Sequence, residues 1–149
     1  MLDPRTAPET PAARLLGVHI LLDMWGVDAS DLDDADTLAE RLLQASADGG
    51  AHIVESSFHR FEPQGVSGVV ILAESHVALH TWPEHGFAAV DIFTCGRAEV
   101  AEGICSALIA GLRPLRHEVR RLDRGRVEGA PSPPRATAAE AGRGAVEGG

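Results

Sequence analysis

The chain has 149 residues, enough for one domain with a sizeable core, and its 44% apolar and 23% charged content is that of a globular protein. No apolar run nears the roughly 20 residues of a membrane span, and a formal charge of −9 argues against a nucleic-acid backbone as partner. Two cysteines, Cys95 and Cys105, make no disulfide framework and fit a reducing, cytoplasmic setting; residues 1–13 lack the basic and apolar halves of a signal peptide.

Residues 1–13 hold three prolines and little periodicity, and read as a disordered tail. Residues 15–25 are strand-like, with His19 and Asp23 interrupting the apolar positions. Asp33 or Asp34 can cap a helix over residues 35–47, where Leu38, Leu42 and Ala45 share one face and Gly49-Gly50 follow as a stop. Residues 51–61 and 66–73 read as strands around the turn Glu62-Pro63-Gln64-Gly65. Strands over 76–81 and 87–95 come next, joined by residues 82–86. A second helix spans 98–112, with Val100, Ile104, Leu108 and Leu112 on its buried stripe, and Pro114 stops it. Residues 115–122 supply a last strand. Residues 125–149 form a Gly/Ala/Pro/Arg/Glu tract too poor in large apolar side chains to offset its ordering entropy, and read as a second disordered tail. The folded unit is then residues 14–124. Strand, helix, several antiparallel strands, helix, strand is the order of an α+β two-layer sandwich, mainly antiparallel, with two helices on one face.

Polar groups gather at the strand ends. The run Val69-Val70-Ile71-Leu72-Ala73 closes on Glu74-Ser75-His76, His80 follows, and the strand over 87–95 closes on Cys95-Gly96. A carboxylate, a hydroxyl, two imidazoles and a thiol at such positions can serve nucleophilic or proton-transfer chemistry; taken by residue type alone, a solvated hairpin edge fits as well.

Several motifs occur in order: Phe58-His59-Arg60-Phe61, Gln64-Gly65-Val66-Ser67-Gly68, Glu74-Ser75-His76, His80-Thr81-Trp82-Pro83-Glu84-His85-Gly86 and Asp91-Ile92-Phe93-Thr94-Cys95-Gly96. Together they closely resemble the prokaryotic S-adenosylmethionine decarboxylase proenzymes, pyruvoyl enzymes that cut their own chain. The resemblance is densest over residues 58–96 and extends more loosely from 16 to about 122. It implies the same two-layer fold.

By that resemblance the cut falls between Glu74 and Ser75. The Ser75 hydroxyl attacks the preceding carbonyl, the amide becomes an ester, and elimination leaves a covalent pyruvoyl group derived from Ser75, which forms a Schiff base with the substrate amine. His80 matches the processing base and Ser67 the hydroxyl that assists; by residue type alone, Ser67 is an ordinary turn serine. Cys95 matches the proton donor of turnover, and a thiol is a suitable acid near neutral pH. Most lone cysteines are small buried residues instead, which is how Cys105 reads. Phe61, Trp82 and Glu84 correspond to substrate-side positions: the rings offer stacking surfaces for adenine and Glu84 an acceptor for ribose hydroxyls or a cation, with core packing as the alternative for both rings. Phe87 stands where relatives often have tyrosine, and Val27 where many have cysteine. Neither departure touches Ser67, Ser75, His80 or Cys95.

The expected activity is decarboxylation of S-adenosylmethionine, giving the aminopropyl donor of spermidine synthesis. The same chemistry on ornithine or arginine is the alternative, since only the pocket selects the amine. An unprocessed binding or regulatory paralogue is a further one, against which the four machinery residues argue. A metal site is not expected: His76, His80 and His85 lack ligand spacing. A symmetric homodimer with sites at the subunit boundary is expected, with Phe61 serving the neighbouring site, and no nucleic-acid or membrane partner.

Overall fold

In the computed structural model, which describes residues 13–128, six strands form one antiparallel sheet in the order β2-β3-β4-β5-β1-β6. The strands are β1 (Arg14–Trp25), β2 (Ile53–Arg60), β3 (Val66–Leu72), β4 (Ser75–Trp82), β5 (Phe87–Thr94) and β6 (Arg116–Val127). The helices are a single turn α1 (Ala29–Leu32), α2 (Ala35–Asp48) and α3 (Ala98–Leu112), with a 3₁₀ turn over Pro83–His85. Among the described residues no helix is long and apolar enough to cross a membrane.

Period-2 alternation gives the sheet two unlike faces. Val18, Ile20, Leu22 and Met24 of β1, Val77 and Leu79 of β4, and Val90 and Ile92 of β5 point under the helices and are buried. On α2 the apolar spacing supplies Leu38, Leu42 and Ala45; on α3 it supplies Ala101, Ile104, Cys105, Leu108 and Leu112. Val100, expected on that stripe, is only partly buried. The opposite face carries Ser67, His76, His80, Trp82, Phe87, Asp91, Phe93, His19 and Asp23 and has no second layer over it.

Two close approaches depend on glycine. A Cβ on Gly49 would lie 2.6 Å from Ile104 Cγ1, so α3 can seat against the end of α2 only because nothing is there. The ring of Phe58 lies over Gly68 of β3, where a Cβ would collide with it.

The expected elements recur with shifted ends. Asp34 caps α2, its carboxylate accepting from the Asp36 and Thr37 backbone N–H groups. Asp33 instead accepts from Gly65 N at 2.8 Å and from the Arg60 guanidinium at 2.8 Å, tying the start of α2 to the β2–β3 turn. The turn α1 was not expected; four residues show no periodicity, and it forms because Asp28 accepts from Ser30 N while Leu32 is fully buried. β6 runs to Val127, so residues 125–127 belong to the sheet and not to a tail. Arg14 pairs with Val127 and Leu15 with Arg126, and an edge strand needs backbone partners rather than burial. The remainder of the two expected tails lies outside the described residues, apart from Ala13 and Glu128. β6 is exposed throughout, and its charge, Arg116, Arg120, Arg121, Arg124 and Arg126 among it, discourages pairing with a further strand.

Candidate active site

β4 is the axis of the site, and the sequence-derived residues fall into two groups at its opposite ends. At its start, Glu74 occupies the tight turn between β3 and β4, and Ser75 opens β4 with Leu72 on one side and Thr94 on the other. Cys95 follows the last residue of β5, so the antiparallel register brings it beside that turn. Its backbone N–H donates to the Glu74 carbonyl at 2.9 Å, and its Sγ–H donates to the same oxygen at 2.8 Å. Two donors thus converge on the carbonyl that immediately precedes Ser75. Such an arrangement draws electron density from the carbonyl carbon and stabilises an oxyanion formed there.

The Glu74 side chain is held as well. His52, in the α2–β2 connection, donates Nδ1–H to Glu74 Oε1 at 2.7 Å, and its backbone N–H reaches Oε2 at 3.3 Å. Partial burial pushes the Glu74 carboxyl up. The hydrogen bonds from the His52 ring, from its own backbone N–H and from His52 N, with the His52 charge, outweigh burial and hold it below the usual range. Sequence reading missed His52, because a single histidine ahead of a strand carries no periodic signal.

At the far end of β4, Ser67 of β3 lies directly opposite His80, with Oγ 2.7 Å from Nδ1. The hydroxyl donates to an unprotonated Nδ1 or accepts from a protonated one. His80 is exposed on the uncovered face. Phe61, half exposed, stacks edge-on against His59 at 4.6 Å, and its N–H donates to Gly65 O across the β2–β3 turn. Trp82 is 41% exposed and lies 5.4 Å from Phe87, which in turn lies 5.4 Å from Trp25, whose ring carries the Arg116 guanidinium at 3.7 Å. Trp25 and Arg116 extend an aromatic row of which sequence reading named only Trp82 and Phe87. Glu84 sits exposed in the 3₁₀ turn just beyond Trp82.

One chain therefore unites Glu74, Ser75 and Cys95, and separately unites Ser67, His80, Phe61, Trp82 and Glu84. From Ser75 to His80 the strand rises about 16 Å, at about 3.3 Å per residue. That separation is well beyond hydrogen-bond reach. Among the described residues no group of three His, Cys, Asp or Glu side chains is arranged to hold a metal ion.

The sequence profile described as S-adenosylmethionine decarboxylase matches residues 18–125. The chain belongs to the S-adenosylmethionine decarboxylase family. It is 42% identical over 125 residues to the S-adenosylmethionine decarboxylase proenzyme of Moorella thermoacetica, covering 84% of this chain and 97% of that one. The corresponding proenzyme of Aquifex aeolicus is 42% identical over 116 residues, covering 78% and 86% of the two chains. The crystal structure of the adenosylmethionine decarboxylase from Aquifex aeolicus superposes with a TM-score of 0.76 at 40% identity, covering 81% of this chain and 100% of that one. The two-layer α+β fold read from the sequence is thus the fold of this decarboxylase family.

Proposed function

We propose that the protein is a self-processing, pyruvoyl-dependent decarboxylase of S-adenosylmethionine that works as a homodimer in the cytoplasm. The observation that carries the reading is the pair of Cys95 donors on the Glu74 carbonyl, one peptide bond from the Ser75 hydroxyl. A peptide carbonyl is a poor electrophile, and this one is polarised from two directions. Attack by Ser75 Oγ forms the Oγ–C bond and breaks the Glu74–Ser75 amide, with a proton passing to the Ser75 nitrogen. Loss of the Ser75 Cα proton then expels the Glu74 carboxylate from Cβ, and water releases ammonia to leave the pyruvoyl end. That group supplies an electron-withdrawing ketone in place of a dissociable cofactor.

His80, paired with Ser67, is suited to move the proton at Ser75, but the pair of the same subunit stands about 16 Å away along β4. A two-fold axis running across the strands between two uncovered sheet faces would reverse the strand direction, bringing the His80 end of one copy over the Ser75 end of the other. The aromatic residues Phe61 and Trp82 with Glu84 travel with His80, so the substrate pocket would be completed in the same way. Stacking of adenine on these rings and an acceptor at Glu84 favour S-adenosylmethionine over ornithine or arginine. Cys95, which donates to the Glu74 carbonyl, is a suitable acid to donate a proton after carbon dioxide leaves.

The experiment is a denaturing gel followed by a substrate panel. Two fragments, residues 1–74 and 75–149, with the second blocked at its N-terminus, are expected, together with carbon dioxide release from S-adenosylmethionine well above that from ornithine, arginine or lysine. An intact chain would overturn the processing, and preference for a plain amino acid would overturn the substrate.

A further inference from the structure

The α2–β2 connection contributes a group to the cut that the reading above leaves unused. His52 grips residues 73 and 74 at three points: its carbonyl accepts from Ala73 N at 2.8 Å, its Nδ1–H donates to Glu74 Oε1 at 2.7 Å, and its N–H donates to Glu74 Oε2 at 3.3 Å. On the other flank Cys95 holds the Glu74 carbonyl. We propose that His52 is a positioning residue for self-cleavage, anchoring the acyl side of the Glu74–Ser75 bond through the Glu74 carboxylate so that the carbonyl stays aimed at the Cys95 donors.

This rests on the reading that the chain cuts itself between residues 74 and 75. The β3–β4 ladder holds this two-residue turn only at its ends. Rotation of the Glu74 peptide would swing the carbonyl away from its donors and from Ser75 Oγ. An anchor on the side chain and another on the carbonyl oxygen remove that freedom before the reaction starts, which is how positioning lowers a barrier. The His52 ring is exposed while the Glu74 side chain is largely covered, with 75% and 22% of their surfaces accessible. A pair with one partner standing in solvent adds little to global stability. Its effect belongs in the rate of cleavage instead.

The test follows freshly translated chain on denaturing gels over time. His52→Ala should slow the appearance of the two fragments about tenfold, while His52→Asn, whose amide can stand in for Nδ1–H, should recover most of the rate. Glu74→Ala should slow cleavage to a similar degree, and the double variant should be no slower than either single one. Melting temperature, and turnover by chain that has completed processing, should match the wild type for His52→Ala. Wild-type cleavage rates in His52→Ala, independent losses that multiply in the double variant, or a loss of melting temperature that accounts for the slowing would each overturn the proposal while leaving self-cleavage standing. Wild-type chain that stays intact, or Ser75→Ala chain cut at the same bond, would remove the parent reading and this one with it.

Discussion

Ser67 of β3 and His80 of β4 face each other with a 2.7 Å hydrogen bond, and His80 shares its strand with Ser75 but lies near the other end. The pair is well formed, and it is out of reach of Ser75, whose preceding carbonyl accepts from two Cys95 donors. Under the proposed mechanism, which brings both groups to one reacting bond, one of them comes from a second copy.

That requirement has a genetic test. Ser75→Ala and His80→Ala should each remain uncut when expressed alone. Co-expressed, they should form mixed dimers in which the intact Ser75 of one chain meets the intact His80 of the other. One site per mixed dimer would then work, and only the His80→Ala chain would be cut. Differently tagged chains on a denaturing gel show which is cleaved. Absence of fragments despite verified mixed dimers would place the whole site within one subunit.

Cys95 contacts the Glu74 carbonyl through two atoms, and a side-chain substitution removes only one. In Cys95→Ala the backbone donor remains, so cleavage should be slowed yet still go to completion. Turnover of the processed protein should fall much further, by roughly 10²–10⁴-fold, the usual effect of losing a positioned acid. Cys95→Ser keeps a donor at the carbonyl and should restore cleavage more than turnover. Time courses of both, measured on the same preparations, separate the two roles; equal losses in both would mean that Cys95 acts only in the cut.

How much of this was legible in the residues depends on the range of the interaction. The bounds of α3 follow from apolar spacing and Pro114, and the helix appears where that spacing puts it. The facing of Ser67 and His80 follows from alternation on two strands joined by a short turn. His52 was not legible, because its partner Glu74 is 22 residues away and no local pattern links a connection residue to a turn. The arrangement of Trp25 under Arg116 is hidden for the same reason: β1 and β6 lie at opposite ends of the described residues and no local pattern links them. The end of β6 was misread because composition reports on burial, whereas an edge strand is held by its ladder.

The Asp33 clamp makes an acid-sensitivity prediction. The Gly65 N–H, and next the Arg60 guanidinium, hold the Asp33 carboxyl below its ordinary value of 3.8. A group whose folded pKa is depressed adds stability that is fully present above the unfolded value and lost as pH falls through the folded one. The melting temperature should therefore drop as pH is lowered through and below 3.8. Asp33→Asn should lower it at neutral pH and flatten that acid limb. An unchanged acid limb in Asp33→Asn would assign the acid loss to other carboxyls, such as Asp34, which is also held low.

Trp82 offers a test of substrate recognition that leaves the cut untouched. Its ring is 41% exposed on the uncovered face beside Phe87, so removing it creates no core cavity. It lies at the His80 end of β4, away from Glu74 and Ser75, so Trp82→Ala should still yield two fragments. If adenine stacks on it, KM for S-adenosylmethionine should rise about tenfold with little change in kcat, the signature of lost uniform binding. Trp82→Phe should retain much of the affinity, because a flat ring remains. Glu84→Gln, which keeps an acceptor but loses the charge, should weaken binding less than Glu84→Ala if the partner is a ribose hydroxyl, and as much if it is a cation. Steady-state kinetics on fully processed preparations distinguish these outcomes. Unchanged KM in both Trp82→Ala and Phe61→Ala would move the adenine away from this end of the sheet and leave the aromatic row as packing between subunits.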